Sequence, residues 1–346
     1  MRRISVLLAA VALIAGTLVG PLGAAPAFAQ GEVNVYSGRQ EVLIRPQLTA
    51  FTKATGIRVN LITASEDALI QRMRAEGRNS PADVMLTVDV ARLIRATEFG
   101  LLRPIKSEVL ESAIPSQYRD KDGRWYGLGL RARIAYYNPD KVNPAELSTY
   151  EALADPKWKG RICMRTSSAT YNQSLLASLI EHKGAAAAEA WARGIVANMA
   201  RPPTGGDREQ ITGVAAGECD IGVANSYYYV QMEQAGTDAE KTATAKVKAF
   251  FPQQPGGGTH VNISGAGVAT NAPNPANAQK LIEFLASAEA QKIYAEVVFE
   301  YPVRPGVAVA PVLLAIGMLN PDKLELSRLA AHQAETIRIF DRVGWR

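Results

Sequence analysis

The segment GECDIGVANSYYY, from Gly217 to Tyr229, decides how this sequence is interpreted. A buried-looking strand, Cys219–Ser226, leads directly into three consecutive tyrosines. A second strand of this kind, Arg161–Thr166 (RICMRT), is followed by Tyr171. Each strand carries one of the chain's two cysteines, and in both cases a tyrosine comes eight residues after the cysteine. If the strands are neighbours in one parallel sheet, the phenols lie at its carboxyl edge, where open α/β sheets bind ligands.

Convergent phenols favour metal binding over acid–base catalysis. A free tyrosine has a pKa of about 10, so it is a poor general base near neutral pH. A hard, highly charged cation favours oxygen ligands and stabilises the deprotonated phenolate. The alternative is that these tyrosines are ordinary packing residues, because tyrosine favours strands and its hydroxyl often ends at a surface.

The N-terminus has the three parts of a secretory signal peptide. Arg2 and Arg3 precede an apolar stretch, Ile4–Val19, and a small-residue region that ends in Ala27-Phe28-Ala29. We therefore expect residues 1–29 to be removed and the mature protein to be exported to a bacterial periplasm. In that oxidising compartment the two cysteines, Cys163 and Cys219, are candidates for one disulfide; two buried free thiols are the alternative.

Composition excludes a nucleic-acid-binding role. The full chain has 346 residues and a formal charge of +5, which falls to +3 once the two N-terminal arginines are removed. The basic residues are spread along the chain, without a Lys/Arg cluster that contains interleaved aromatics. A mildly basic protein of this kind can attract a small anionic ligand.

Alternating strands and helices predict an α/β fold with a parallel doubly wound sheet. A long extended run after Trp125, Gly127–Asn138, is suited to cross between two lobes. We expect a two-lobed periplasmic binding protein of type II with a hinged cleft between the lobes. The predicted N-terminal lobe is residues 30–130 plus 252–305, and the predicted C-terminal lobe is residues 131–251 plus 306–346.

The sequence resembles the periplasmic ferric-iron-binding proteins of ABC transporters, a branch of the extracellular solute-binding proteins. The resemblance covers nearly the whole mature chain. It is carried by the segments NVYSGRQ (34–40), SPADVMLTVD (80–89), PKWKGRICMRTSSATYNQSL (156–175), GECDIGVANSYYY (217–229) and SGAGVATNAPNPANAQKLIEFL (264–285). The two segments that contain tyrosines are the most specific, whereas PKWKGR and the last segment are general features of binding proteins.

The resemblance implies that Tyr227 and Tyr228 bind Fe³⁺ together with Tyr171. Strand periodicity alone would instead place Tyr227 and Tyr229 on one face. We follow the resemblance, which requires the strand to end before the pair, and treat Tyr229 as structural.

The resemblance also implies an anion beside the metal. Some members have a histidine after the first strand, where this chain has Arg39 and Gln40. The chain is therefore similar to the branch that uses arginine and a synergistic anion such as carbonate, which arginine can grip with two parallel hydrogen bonds. Arg131 and Arg133 are further candidates, because alternate strand residues share a face. None of the three histidines lies in a motif that matches a ligand position.

The function implied is delivery of Fe³⁺ to an inner-membrane ABC permease by a monomeric, non-enzymatic protein. A binding protein of the same fold for a polyamine, thiamine or a phosphonate is the alternative. Such pockets use acidic or aromatic cages for cations, or helix N-termini for phosphates. An enzyme is disfavoured because the chain has no G-x-S-x-G, H-E-x-x-H or Walker motif.

Overall fold

A computed structural model describes residues 31–253 and 257–346 of the chain. The predicted signal peptide, residues 1–29, lies outside the described residues. Eight strands are present in the described part, in chain order: β1 (Glu32–Ser37), β2 (Arg58–Thr63), β3 (Val84–Thr87), β4 (Tyr126–Tyr137), β5 (Ile162–Cys163), β6 (Ile221–Asn225), β7 (Lys248–Phe250) and β8 (Val261–Val268).

Thirteen α-helices cover or connect these strands in the described ranges. They are α1 (Glu41–Thr55), α2 (Glu66–Glu76), α3 (Val90–Glu98), α4 (Glu108–Ala113), α5 (Thr170–Lys183), α6 (Ala185–Asn198), α7 (Asp207–Ala216), α8 (Ser226–Ala235), α9 (Asp238–Ala245), α10 (Pro275–Leu285), α11 (Ala288–Ile293), α12 (Pro311–Ala315) and α13 (Gln333–Val343). Among the described residues, none of these helices combines the length and the apolar character that crossing a bilayer requires.

The strands form one continuous path in the order β2-β1-β3-β8-β4-β6-β5, and β7 pairs with β4 at the side. β1 is parallel to both β2 and β3, and β5 is parallel to β6, as a doubly wound α/β fold requires. β8 runs antiparallel to β3 and to β4. The predicted α/β class is therefore confirmed, with antiparallel pairs at the centre of the path.

β4 crosses between the two halves of the sheet. Residues 126–132 pair with β8, whereas residues 133–137 pair with β6 and β7. All twelve residues of β4 are buried. Its side chains divide between two hydrophobic cores: Ile134 and Tyr136 belong to the first, Ala135 and Tyr137 to the second. The crossing predicted for Gly127–Asn138 is thus confirmed, while the exact lobe boundaries stay a prediction.

Two predicted elements are shorter than their sequence patterns indicate. β5 contains only Ile162 and Cys163 of the expected Arg161–Thr166 strand. The carbonyl of Arg165 instead accepts hydrogen bonds from the Asn172 side chain (3.0 Å) and from Trp345 Nε1 (2.9 Å), so strand pairing ends early.

The helix expected over 276–296 is divided in two. α10 ends at Leu285, and Ser287 then begins α11 by accepting a hydrogen bond from the backbone N–H of Ala290 (3.2 Å). The apolar periodicity of the segment continues across this break, which is why the pattern alone predicts one helix. The serine cap, which competes locally for backbone donors, ends it.

Cys163 and Cys219 form a disulfide between β5 and the start of the β6 segment. The double substitution Cys163→Ala/Cys219→Ala should lower the free energy of unfolding by about 4 kcal/mol. The bond closes the chain segment between the two cysteines into a loop and so restricts the unfolded chain, and this restriction is lost in the variant. Urea unfolding followed by tryptophan fluorescence measures the change. A decrease below about 1 kcal/mol would contradict a stabilising role for the bond.

Candidate metal centre

Two helices begin at the same edge of the sheet and present the tyrosines. β5 and β6 are parallel neighbours, with Ile162 opposite Ile221 and Cys163 opposite Gly222. Tyr171 is the second residue of α5, and Tyr227 and Tyr228 are the second and third residues of α8. The positive ends of both helix dipoles therefore lie beside the phenols, where they favour negative charge.

The phenols converge on one cavity. The Oη atoms of Tyr171 and Tyr227 are 3.3 Å apart, and the ring centroids of Tyr227 and Tyr228 are 4.2 Å apart. An octahedral cation with ligands at about 2 Å holds adjacent oxygens about 3 Å apart, so this pair of phenol oxygens is spaced for one ion. The three tyrosines line a cavity of about 180 Å³ together with residues of the first half of the chain. That volume is sufficient for an ion and a small anion.

Tyr229 is turned away from the cavity. Its hydroxyl donates a hydrogen bond to the carbonyl of Thr244 (3.0 Å), and its ring stacks on Tyr136 at 5.4 Å. The strand ends at Asn225, and the helix that follows separates the three side chains by about 100° each. The strand therefore ends before Tyr227, as is required for Tyr227 and Tyr228 to face one cavity. Tyr229 has a packing role.

The opposite wall of the cavity comes from the loop between β1 and α1. Gly38, Arg39 and Gln40 line it, and Gln40 is exposed at the start of α1 without a side-chain cap bond. Polar contacts hold the two walls together: Arg92 of α3 donates to Thr170 Oγ1 (3.3 Å), and Ser174 of α5 donates to Asp89 (3.2 Å). The cavity thus lies between parts of both halves.

Burial makes the phenols of Tyr171 and Tyr227 reluctant to ionise. Desolvation raises the pKa of both groups, and the nearby Tyr228 raises it further, while the charge of Arg131 acts in the opposite direction. Because a phenolate at these positions needs strong compensation, a trivalent cation is the ligand best able to supply it. The site therefore favours a highly charged metal ion over an organic cation.

The predicted anion-binding arginines form a charged layer beneath the tyrosines. The guanidinium of Arg39 bonds to Glu300 and Ser264, that of Arg131 to Asp89 and Ser264 (3.3 Å each), and that of Arg133 to Asp207 and Asn172. All three arginines are buried. The outer nitrogens of all three guanidinium groups face carboxylates of the protein itself. Of the three arginines, only Arg39 lines the tyrosine cavity.

Tyr171 is packed against three guanidinium groups. The Cζ atoms of Arg131, Arg165 and Arg133 lie 5.0, 5.5 and 5.8 Å from its ring centroid. Cations over an aromatic face are attracted by its quadrupole. Arg165 was not among the residues singled out from the sequence. Its position in the RICMRT segment, six residues before Tyr171, was the available signal.

Glu300 is a further residue that sequence reasoning missed. It is fully buried, accepts hydrogen bonds from Arg39 and from Ser264 Oγ (2.9 Å), and lies 261 residues from Arg39 in sequence. The preceding Phe299 has φ 61°, the only non-glycine residue with positive φ among those described. Gly129 leaves room for the carboxylate, since a Cβ there would lie 2.4 Å from Glu300 Oε2. No local motif signals such a distant pairing.

The histidines take other roles. His182 pairs with Asp322 (2.7 Å) and His332 with Glu181 (2.6 Å). His260 is buried, and burial together with the charges of Arg133 and Arg131 lowers its pKa to about 3. Within the described ranges, no group of three or more His, Cys, Asp and Glu side chains is arranged to hold a metal.

Residues 47–313 match the family model of the bacterial extracellular solute-binding proteins. The chain belongs to this family. Iron uptake protein A1 of Synechocystis is 47% identical over 317 residues, which cover 92% of this chain and 88% of that relative. The Fe(3+)-binding periplasmic protein of Serratia marcescens is 32% identical over 321 residues, 92% and 93% of the two chains.

Solved structures give the same relationship. The Trichodesmium protein IdiA (FutA), in complex with iron and citrate, has a TM-score of 0.88 and 50% identity, covering 91% of this chain and all of that one. Ferric iron-binding protein A of Mannheimia haemolytica in an open conformation has a TM-score of 0.86 and 42% identity, over 91% and 99%. The resemblance to ferric-iron-binding proteins and the two-lobed α/β fold are confirmed.

Glu300→Ala should destabilise this solute-binding protein by about 3–5 kcal/mol, because it leaves the buried Arg39 charge without its carboxylate. Glu296→Ala is the matched control: Glu296 is about half exposed and pairs with Lys292 at 3.8 Å, so its loss should change stability by no more than about 0.5 kcal/mol. Urea unfolding compares the two. Equal losses of stability in the two variants would mean that the buried Arg39–Glu300 pair contributes no more to stability than the exposed Lys292–Glu296 pair.

Proposed function

We propose that this protein binds Fe³⁺ in the periplasm and delivers it to an inner-membrane ABC permease. One observation carries the proposal: Tyr171, Tyr227 and Tyr228 face one cavity from two adjacent helix starts. The names of the relatives, which refer to iron uptake and ferric binding, support the same choice of ion. The protein acts as a monomeric carrier and not as an enzyme.

Charge balance explains the ligand set. Three phenolates neutralise one Fe³⁺, and the remaining coordination positions go to a small anion. The resemblance implies a synergistic anion such as carbonate, and citrate accompanies iron in the Trichodesmium structure. Arg39 lines the cavity with its Nε–H unbonded within the described protein, so it is the group best placed to donate to that anion. Gln40 adds a polar group at the exposed rim.

The two walls give the carrier a means to close. Tyr171, Tyr227 and Tyr228 belong to the second half of the sheet, whereas Gly38, Arg39 and Gln40 belong to the first. Iron binds first to the phenols, and closure brings the β1–α1 loop over the anion. A ligand drives such closure only if it binds the closed form more tightly than the open one. The closed form then presents its distinct surface to the permease.

Addition of ferric citrate to iron-free protein should produce a red-orange protein, because tyrosinate–Fe³⁺ charge transfer absorbs visible light. A titration followed by visible absorbance should saturate at one iron per chain. A colourless protein that binds spermidine, thiamine or a phosphonate in a calorimeter would favour the alternative binding protein.

Tyr227→Phe and Tyr228→Phe should each weaken iron binding by at least about tenfold and reduce the visible band, because even residues that only support metal ligands cost about 10–100-fold when removed. Tyr229→Phe is the matched control from the same run of tyrosines and should retain the band. If Tyr229→Phe loses the visible band and Tyr228→Phe retains it, then Tyr229 and not Tyr228 is the iron ligand.

Iron loading should release protons, and its affinity should fall as the pH is lowered. The raised pKa values of Tyr171 and Tyr227 keep both phenols protonated near neutral pH in the iron-free protein, so the metal must displace those protons. A pH-stat titration with ferric citrate at pH 7 should show about one proton per iron fewer for Tyr227→Phe than for the unmodified protein or Tyr229→Phe. Equal release in all three would mean that Tyr227 binds as a neutral phenol or not at all.

A further inference from the structure

The tyrosine cavity is lined by a second arginine, which has no role in the iron site described above. Arg208, the second residue of α7, lines the cavity beside Tyr228 and Gln231, whereas Arg39 lines it from the β1–α1 loop. The two arginines differ in depth, because the side chain of Arg39 is 3% exposed and that of Arg208 is 37% exposed. The cavity therefore has an inner guanidinium on one wall and an outer guanidinium on the other.

Arg208 is held in place by residues of α8 and α9. Its Nη1 pairs with Glu240, and its Nη2 donates a hydrogen bond to Gln231 Oε1 (3.3 Å). Glu240 is itself fixed at the start of α9, where it accepts from the backbone N–H of Thr237 (2.9 Å). Gln231 is fixed by donating to the carbonyl of Val298 (3.4 Å). A side chain oriented in this way loses little freedom when it binds a ligand.

Both arginines keep unused hydrogen-bond donors. A guanidinium has five N–H groups, and Arg208 uses one on Nη1 and one on Nη2. Its Nε–H and the second N–H of each outer nitrogen have no acceptor among the described residues. The Nε–H of Arg39 is also without an acceptor in that part of the chain. Such N–H groups form strong, charge-assisted hydrogen bonds to carboxylates.

Acidic side chains lie behind the cavity wall. In the described ranges, no Asp or Glu side chain lines the cavity. Glu300 and Glu240 each pair with one of the two arginines, and Glu66 accepts a hydrogen bond from the backbone N–H of Val88 (2.6 Å). The arginine charges are thus matched within the protein. What the cavity offers an anion is hydrogen-bond donors on two opposite walls, not an excess of positive charge.

The cavity volume favours an anion larger than carbonate. About 180 Å³ is the share of liquid volume of roughly six water molecules. Carbonate is one compact group, whose oxygens would be divided between the metal and a single arginine. A di- or tricarboxylate is larger and carries separate acidic groups, so it can place one at the metal and another at the opposite wall.

We propose that Arg208 makes the cavity selective for a polycarboxylate as the anion that accompanies iron. One carboxylate lies at the metal beside Arg39, and a second accepts hydrogen bonds from Arg208. Because such an anion contacts both walls, it binds the closed cleft more tightly than the open one. This inference rests on the proposed iron function and names the class of anion that the same site takes.

Retention of citrate tests the inference on the unmodified protein. The protein is loaded with ferric iron and radiolabelled citrate in bicarbonate buffer, and small molecules are then removed by gel filtration. It should keep the visible iron band together with citrate in an amount about equal to the iron. A coloured protein without citrate overturns the inference and leaves the iron function standing. A colourless protein without iron contradicts the iron function itself.

Arg208→Gln tests the residue. The change removes the guanidinium, so the bicarbonate concentration that displaces half of the bound citrate should fall about tenfold, the effect of losing one hydrogen bond to a charged group. Arg193→Gln is the matched control, because Arg193 is an exposed arginine of α6 that pairs with Glu189 (3.0 Å) and does not line the cavity. It should behave as the unmodified protein. Equal displacement in Arg208→Gln and Arg193→Gln contradicts the role of Arg208.

A crystal structure of the protein loaded with iron and citrate gives an answer that does not depend on how a variant folds. One citrate carboxylate should lie within hydrogen-bond distance of the Arg208 guanidinium while another lies at the iron. Citrate bound at the iron with every carboxylate out of reach of Arg208 overturns the proposal.

Discussion

A layer of buried guanidinium–carboxylate pairs beneath the tyrosines is the constraint on which the site depends. Arg39 is held by Glu300, Arg131 by Asp89, and Arg133 by Asp207. Removing one member of such a pair leaves an uncompensated buried charge, which proteins tolerate poorly. The layer therefore fixes its own geometry, and with it the position of the Tyr171 ring packed above Arg131. The phenols are available to bind a ligand because each of the three guanidinium groups beneath them already has a carboxylate partner.

The same layer connects the two halves of the molecule. Asp89 begins α3 in the first half, whereas its partner Arg131 lies on the crossing strand β4 and Ser174 lies on α5 of the second half. Glu300 similarly reaches Arg39 from a segment that pairs with β4 through Tyr301. Contacts that span the cleft in this way are sensitive to its width. In the proposed function, ligand binding at the phenols and closure of the cleft are therefore parts of one equilibrium.

Local signals in the sequence were sufficient for the fold class and for the convergence of Tyr171 and Tyr227, whereas the choice of Tyr228 over Tyr229 came from the resemblance to a known family. Strand–helix alternation predicted a parallel sheet, and the matched cysteine–tyrosine spacing placed the phenols at one edge on the condition that the two strands are neighbours; β5 and β6 are paired in that way. The role of Glu300 was not predictable, because its partner Arg39 is distant in sequence and Phe299 positions it with an unusual backbone angle. The break at Ser287 was missed because the apolar pattern continues through it. A periodic hydrophobic pattern carries no information about pairs of residues distant in sequence or about local helix caps.

The central claim is that three phenol oxygens on two neighbouring helices hold one ferric ion. Anomalous diffraction at the iron edge, from crystals grown with ferric citrate, tests it most directly. The account predicts one iron peak per chain, about 2 Å from the Oη atoms of Tyr171, Tyr227 and Tyr228. Iron bound at other side chains, or a peak that leaves any of these three oxygens out of reach, would contradict it.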